Sequence, residues 1–272
     1  MSNKIILKKK INIFKKKINI PGDKSLSIRW ALMASLSYGI SKAQNLLMSE
    51  DVMATLKAIR ALGIKVTYNS KICKIYGLGV NGYKYKKGII INAQNSGTLG
   101  RLIPGLLIDT PTPIKIIGDK SLSKRDFRRI VDPLSKFGAN FNLKNGHGLP
   151  LIIKGSHKLK PIKFFEKKGS AQCKSSVIFA GIKTEGKTLI KAKKSRNHTE
   201  LLFKYLKLPI KVKSGEKFDL IEINRVNKIK PINYNIPSDI SSSAFFIVLT
   251  ILSKKSQLII KNININPTRM GM

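Results

Sequence analysis

The sequence predicts an α/β protein assembled from a repeated β-α-β-α-β-β unit of roughly 70 residues. Three observations predict it. Apolar residues recur at helical spacing in pairs of segments, and each pair is followed by two short strand-like runs. A glycine ends the second helical segment of the first two units, Gly63 and Gly138, where a left-handed turn suits that residue. Each first helix opens on small polar residues: Lys24-Ser25, Asn95-Ser96-Gly97-Thr98, Gly169-Ser170-Ala171-Gln172 and Ser238-Asp239-Ile240-Ser241-Ser242.

In chain order, the first unit runs from Ile20 through a helix at 25–38, a short apolar run and a helix at 49–62. Strands at 64–68 and 72–76 close it. The second has a strand at 89–91, a helix at 97–108, a strand at 114–117, a helix at 124–137 and strands at 139–143 and 149–153. A third pass begins at 163–165, with helices at 171–182 and 199–206 and strands at 188–192, 210–213 and 220–223. A fourth begins near Asn233, with a helix at 241–252 and a strand at 258–263. It stops at Asn266-Pro267-Thr268-Arg269, where a second helix is due.

The 42% hydrophobic content is enough to bury a core, so a disordered chain is excluded. Lys+Arg 52 against Asp+Glu 14 gives a formal charge of +38. Such a balance fits nucleic acid or small anionic substrates. The lysines are spread along the chain and alternate with Ile and Asn rather than forming an arm or patch. Cys73 and Cys173 are lone thiols without a CxxC pair, and His147, His157 and His198 lack ligand spacing, so no metal is expected. Lys15-Lys16-Lys17 interrupts any apolar signal core, and no apolar run approaches ~20 residues. A cytoplasmic, soluble protein without a membrane partner is expected.

The octapeptide at 22–29 recurs at 118–125 with a single change, Ile28 against Lys124. A glycine turn, Lys, Ser and a helix start suit an anion, because bare amides and the helix dipole add to the side-chain charge. An N-cap serine opening an ordinary helix is the competing explanation. If the units surround a common axis, their first-helix N-termini converge. Arg29, Arg101, Arg125 and Arg196 then supply guanidinium forks for carboxylate or phosphate.

Six segments together carry a resemblance that none carries alone: 21–29, 95–101, 118–125, Ser170-Ala171-Gln172, 195–200 and 266–269. In this order and spacing, spanning essentially the whole chain, they resemble the 5-enolpyruvylshikimate-3-phosphate synthase family. The resemblance implies an inside-out α/β barrel of enolpyruvyl transferase type, with two lobes of three units each about a pseudo-threefold axis. Residues 20–232 are then one complete lobe, and 1–19 with 233–272 the start of a second. The chain is thus expected to be a fragment, and the complete protein a monomer.

The implied reaction moves the enolpyruvyl group of phosphoenolpyruvate onto the 5-hydroxyl of shikimate 3-phosphate, releasing phosphate, without a cofactor. By motif match, Lys24, Ser25, Arg29, Ser170, Ala171, Gln172 and Arg196 are the expected contacts of shikimate 3-phosphate. Lys24, Gly97, Arg125 and Gln172 are the expected contacts of phosphoenolpyruvate. The acid/base carboxylates of the family belong to second-lobe motifs that do not occur in this sequence, so the fragment is expected to bind weakly and not turn over. Two departures stand out: Asp126-Phe127 where the family usually has Pro and then an apolar residue, altering how that helix begins, and Asn197 in place of the Asp common in the Ser-Arg-Asp-His version of the motif. The related UDP-N-acetylglucosamine enolpyruvyl transferase is disfavoured, because it has Lys-Asn where this chain has Lys24-Ser25 and a loop Cys where this chain has Lys120-Ser121. A nucleic-acid-binding role explains the charge but not the ordered anion motifs.

Overall fold

The computed structural model describes residues 12–271, so the expected segment 1–19 is described only from Asn12 onward. In the first unit, α1 (Lys24–Ser35) is opened by Asp23, whose carboxylate accepts from the Leu26 amide. It is shorter than expected, because β2 (Tyr38–Gln44) begins directly after it. Here β1 denotes Lys15–Ile18. There follow α2 (Glu50–Ala61), β3 (Lys65–Tyr68) and β4 (Ile72–Leu78). The second unit contains β5 (Ile90–Asn92), α3 (Gly97–Leu106), β6 (Ile114–Ile117), α4 (Lys120–Ser123), α5 (Arg128–Ser135), β7 (Asn140–Lys144) and β8 (Gly148–Lys154). The third contains β9 (Lys163–Glu166), α6 (Ala171–Gly181), β10 (Lys187–Lys193), α7 (His198–Tyr205), β11 (Ile210–Ser214) and β12 (Phe218–Asn224). Last come β13 (Asn233–Asn235), α8 (Ile240–Leu252) and β14 (Gln257–Ile260).

The helix expected at 124–137 begins only at Arg128, as α5, and a separate short helix that was not expected, α4, precedes it. Asp119 caps α4 through the Leu122 amide at 2.7 Å, and Asp126 starts α5 by accepting from the Arg128 amide at 2.8 Å. Between them Phe127 turns inward and is fully buried beneath Arg101, whose guanidinium lies 5.8 Å from its ring centroid. Burial of that aromatic at the Asp126-Phe127 departure separates α4 from α5.

Three four-stranded sheets have the orders β5-β6-β8-β7, β9-β10-β12-β11 and β13-β2-β4-β3. The first two place a unit's own first strand at the edge, parallel to its second. In the third, that position is taken by β13, paired parallel with β2. The fourth unit thus lends its first strand to the first sheet, across the expected division at 232. In return β1 pairs parallel with β14.

The sheets alternate exposed and buried residues, as β10 does along its whole length, so one face meets water. The first helices lie inside. α1 is buried from Leu26 to Ser35, α6 from Cys173 to Gly181, and α3 packs on both. A helix covered all round needs no polar stripe, which is why α1 and α6 carry little amphipathic pattern. Helices inside and sheets outside give the inverted α/β architecture. By contrast α8 buries only Ser243, leaving Phe245, Ile251 and Leu252 exposed.

Candidate functional site

The N-termini of α1, α3 and α6 open into one cleft of about 1130 Å³. Each begins the same way: Asp23, Ser96 and Ser170 cap the amides of Leu26, Leu99 and Cys173 at 2.9, 3.2 and 3.2 Å. The amides ahead of each cap belong to cleft-lining residues, among them Ser25, Thr98 and Ala171. Three positive helix ends facing one volume favour a ligand with several negative charges.

Lys24 and Ser25 line the cleft at the start of α1. The Lys24 amide donates to Asp239 Oδ2 at 3.4 Å, and its ammonium lies 3.3 Å from Asp51 Oδ2. That ion pair is exposed and contributes little to stability. One turn deeper, Arg29 is buried but still reaches the cleft wall. Its Nε donates to Thr199 Oγ1 at 2.8 Å, and its Nη1 and Nη2 donate to the Ser25 carbonyl and Ser175 Oγ at 3.1 Å each. Three of five N–H groups are engaged, so two remain for a ligand. Burial pushes this guanidinium down to about 10, Glu200 and Asp23 raise it, and Arg269 and Arg196 lower it further. It stays charged at neutral pH.

The second unit contributes Gly97, Asn95, Thr98 and Arg125. A Cβ on Gly97 would stand 2.9 Å from Arg125 Nη1, so the glycine leaves room for that guanidinium. Arg101 does not line the cleft. Its Nη1 donates to Gln172 Oε1 at 2.6 Å, and Gln172 Nε2 donates to Thr98 Oγ1 at 3.1 Å, so Gln172 is oriented between the second and third units. Burial, with Arg129 and Arg125 nearby, lowers Arg101 to about 10.

Ser170, Ala171 and Gln172 form the α6 wall, and Arg196 projects from the β10–α7 loop. Every residue expected from the motif match therefore lies on one cleft, Lys24, Ser25, Arg29, Gly97, Arg125, Ser170, Ala171, Gln172 and Arg196, whereas Arg101, the fourth expected guanidinium fork, lies behind Gln172. Beneath it Lys174 and Glu200 form a buried ion pair at 2.6 Å. His198 also lines the cleft and is held neutral, lowered to about 3 by burial and then by Arg29, Arg269, Arg196 and Lys174.

Sequence reasoning missed Glu50, Asp51, Lys194, Ser214, Asp219 and Thr268. Lys194 stands two residues before Arg196, and that spacing could have found it. Ser214 and Asp219 reach the cleft because hairpin register pairs them across β11 and β12, which no local pattern announces. Among the described residues no helix is long and apolar enough to cross a membrane, and no three or more His, Cys, Asp or Glu gather as for a metal ion.

Residues 8–272 match the family model described as EPSP synthase (3-phosphoshikimate 1-carboxyvinyltransferase). The 3-phosphoshikimate 1-carboxyvinyltransferase of Leuconostoc mesenteroides is 38% identical over 256 residues, covering 94% of this chain and 58% of that protein. That of Caldicellulosiruptor bescii is 40% identical over 277 residues, covering 100% of this chain and 62% of the relative. Among solved structures, EPSP synthase from Acinetobacter baumannii superposes with a TM-score of 0.86 at 33% identity, covering 95% of this chain and 58% of that one. The chain thus spans 58% to 62% of the length of these relatives.

Proposed function

The chain belongs to the EPSP synthase family, and from that premise we propose that its cleft binds shikimate 3-phosphate and phosphoenolpyruvate for enolpyruvyl transfer. The observation that supports this most is the convergence on one cleft of three helix N-termini with Lys24, Arg29, Arg125 and Arg196. In this reading Ser25, Arg29, Ser170, Ala171 and Arg196 hold shikimate 3-phosphate. Arg125 and Gly97 receive phosphoenolpyruvate, while Lys24 and Gln172 lie between the two. Gathered cations offset repulsion between two polyanions and keep the reacting atoms adjacent.

The reaction protonates the phosphoenolpyruvate methylene carbon, and the 5-hydroxyl attacks the adjacent carbon as it loses its proton to a base. The tetrahedral intermediate then expels phosphate and loses a proton from the methyl group, restoring the enol ether. These residues orient and neutralise; the acid/base carboxylates that the family resemblance implies have no matching motif in residues 1–272. Calorimetry of the polypeptide with shikimate 3-phosphate should show saturable binding at one site, weakened by Arg196→Ala. Absence of binding by the folded chain overturns the reading. A phosphate-release assay should show no turnover by these 272 residues alone, and normal turnover contradicts the division of labour.

A further inference from the structure

We infer that Asn266-Pro267-Thr268-Arg269 is a positioning clamp, setting the placement of the cleft residues Lys24 and Arg196 relative to one another. The inference rests on the proposed function for the meaning of those two residues, but not for the geometry. The segment forms a short 3-10 turn capped by Asn266. Its Arg269 side chain is buried against two carboxylates, Asp23 and Asp239, with side-chain exposures of 0% and 9%. Nη1 binds Asp23 Oδ2, and Nη2 lies 3.0 Å from Asp239 Oδ1.

Both carboxylates act on the start of α1. Asp23 Oδ1 caps it through the Leu26 amide at 2.9 Å, and Asp239 Oδ2 accepts from the Lys24 amide at 3.4 Å. Asp239 Oδ1 also accepts from the Ser241 amide at 2.9 Å, capping α8. One planar guanidinium therefore ties two helix caps and the backbone of Lys24 into one unit. Two carboxylates buried side by side repel without a shared cation, and only a fork reaches both.

The other end of the segment holds the β10–α7 loop that carries Arg196. Asn266 Nδ2 donates to Asn197 Oδ1 at 2.9 Å, the Thr268 hydroxyl lies 3.1 Å from the same oxygen, and the Asn197 amide points at Thr268 Oγ1 at 3.4 Å. Asn197 directly follows Arg196 and precedes α7. By the resemblance, it stands where the Ser-Arg-Asp-His version of this motif has Asp. An amide, unlike a carboxylate, can sit against another asparagine and a hydroxyl without bringing a further charge beside the Asp23–Arg269–Asp239 group.

The test compares wild type, Arg269→Lys and Thr268→Val with a core variant, Ile75→Val, as a matched destabilisation control. Calorimetry with shikimate 3-phosphate is paired with amide hydrogen exchange at the first turns of α1 and α7. Arg269→Lys should lose at least ~10-fold in affinity while folded and exchange faster at the α1 start. Thr268→Val should lose ~3-fold and loosen the α7 start, whereas Ile75→Val should keep wild-type affinity and local exchange. A folded Arg269→Lys with wild-type affinity and exchange overturns the clamp. If that variant does not fold, Thr268→Val decides by the same two readouts. If wild type binds no shikimate 3-phosphate, the functional reading falls, and the exchange pattern alone decides the clamp.

Discussion

The two ends of the inner helices make a controlled comparison. At their N-termini, the cleft collects Lys24, Arg29, Arg125, Lys194 and Arg196. At the other end, a second cavity of about 760 Å³ lies where α3 and α6 finish, lined by Asp109, Lys183, Tyr83 and Arg225 among others. Both ends carry buried cations, yet they are used differently. Lys183 is matched internally: its ammonium lies 2.9 Å from Asp109 Oδ2 and also donates to the Val80 carbonyl. Burial lowers its pKa and the Asp109 carboxylate opposes that shift. Helix C-termini present bare carbonyls, so a cation there completes the fold. Helix N-termini present bare amides, and beside them only Lys24 has an ion-pair partner among the described residues, Asp51, so the other cleft cations are left for an arriving anion. The same residue type is structural at one end and available to a ligand at the other.

Replacing Lys183 with Met is the sharpest way to break this contrast. It removes one partner from a buried pair and should cost about 3–5 kcal/mol of stability, read by urea unfolding. Affinity for shikimate 3-phosphate in the folded fraction should not change; a binding loss erases the distinction between the ends. The converse variant, Lys24→Ala, should cost about 2–5 kcal/mol of binding free energy with little change in the unfolding midpoint, by calorimetry and urea unfolding respectively.

His198 adds a pH arm on the cleft side only. Its pKa is lowered from 6.5 to about 3 in the fold, so the unfolded state takes up a proton first as pH falls. Stability from this group is intact above the unfolded value of about 6.5 and drops between there and about 3. The slope is at most about 1.4 kcal/mol per pH unit. His198→Gln should flatten the wild-type acid slope over that window in urea titrations; identical slopes contradict a neutral buried imidazole.

Gly97→Ala is smaller. Crowding Arg125 from 2.9 Å should weaken phosphoenolpyruvate binding by about 1 kcal/mol, measured by fluorescence or calorimetric titration in the presence of shikimate 3-phosphate. Least of all, Lys120→Ala should stay within about 0.5 kcal/mol in both binding and stability.

Periodicity revealed the helices and most strands because core-facing residues recur at the element's own period, as the alternation along β10 shows. It missed the transfer of β13 to the first unit's sheet, since edge pairing depends on which strand arrives in space, whereas the family resemblance groups 1–19 with the fourth unit, where β1 meets β14. Periodicity also missed α4 and began α5 four residues early, because Phe127 turns inward onto Arg101 of another helix, a contact that no local pattern shows. The apolar run of α8 was legible as a helix, but not what its exposed Phe245 and Ile251 are built to meet.

The twin octapeptides separate what the two levels decide. By itself the sequence determined the same local event twice: Asp23 and Asp119 each cap the amide three residues on, at 2.9 and 2.7 Å. Short-range geometry and a carboxylate at the N-cap are sufficient for that. Only the tertiary structure decided that the first copy opens a 12-residue inner helix whose Lys24 lines the cleft, while the second makes a 4-residue turn that delivers Arg125. The reason is packing: α1 is enclosed by neighbouring helices and continues, whereas α4 is followed at once by Phe127, which turns into the core, and must stop.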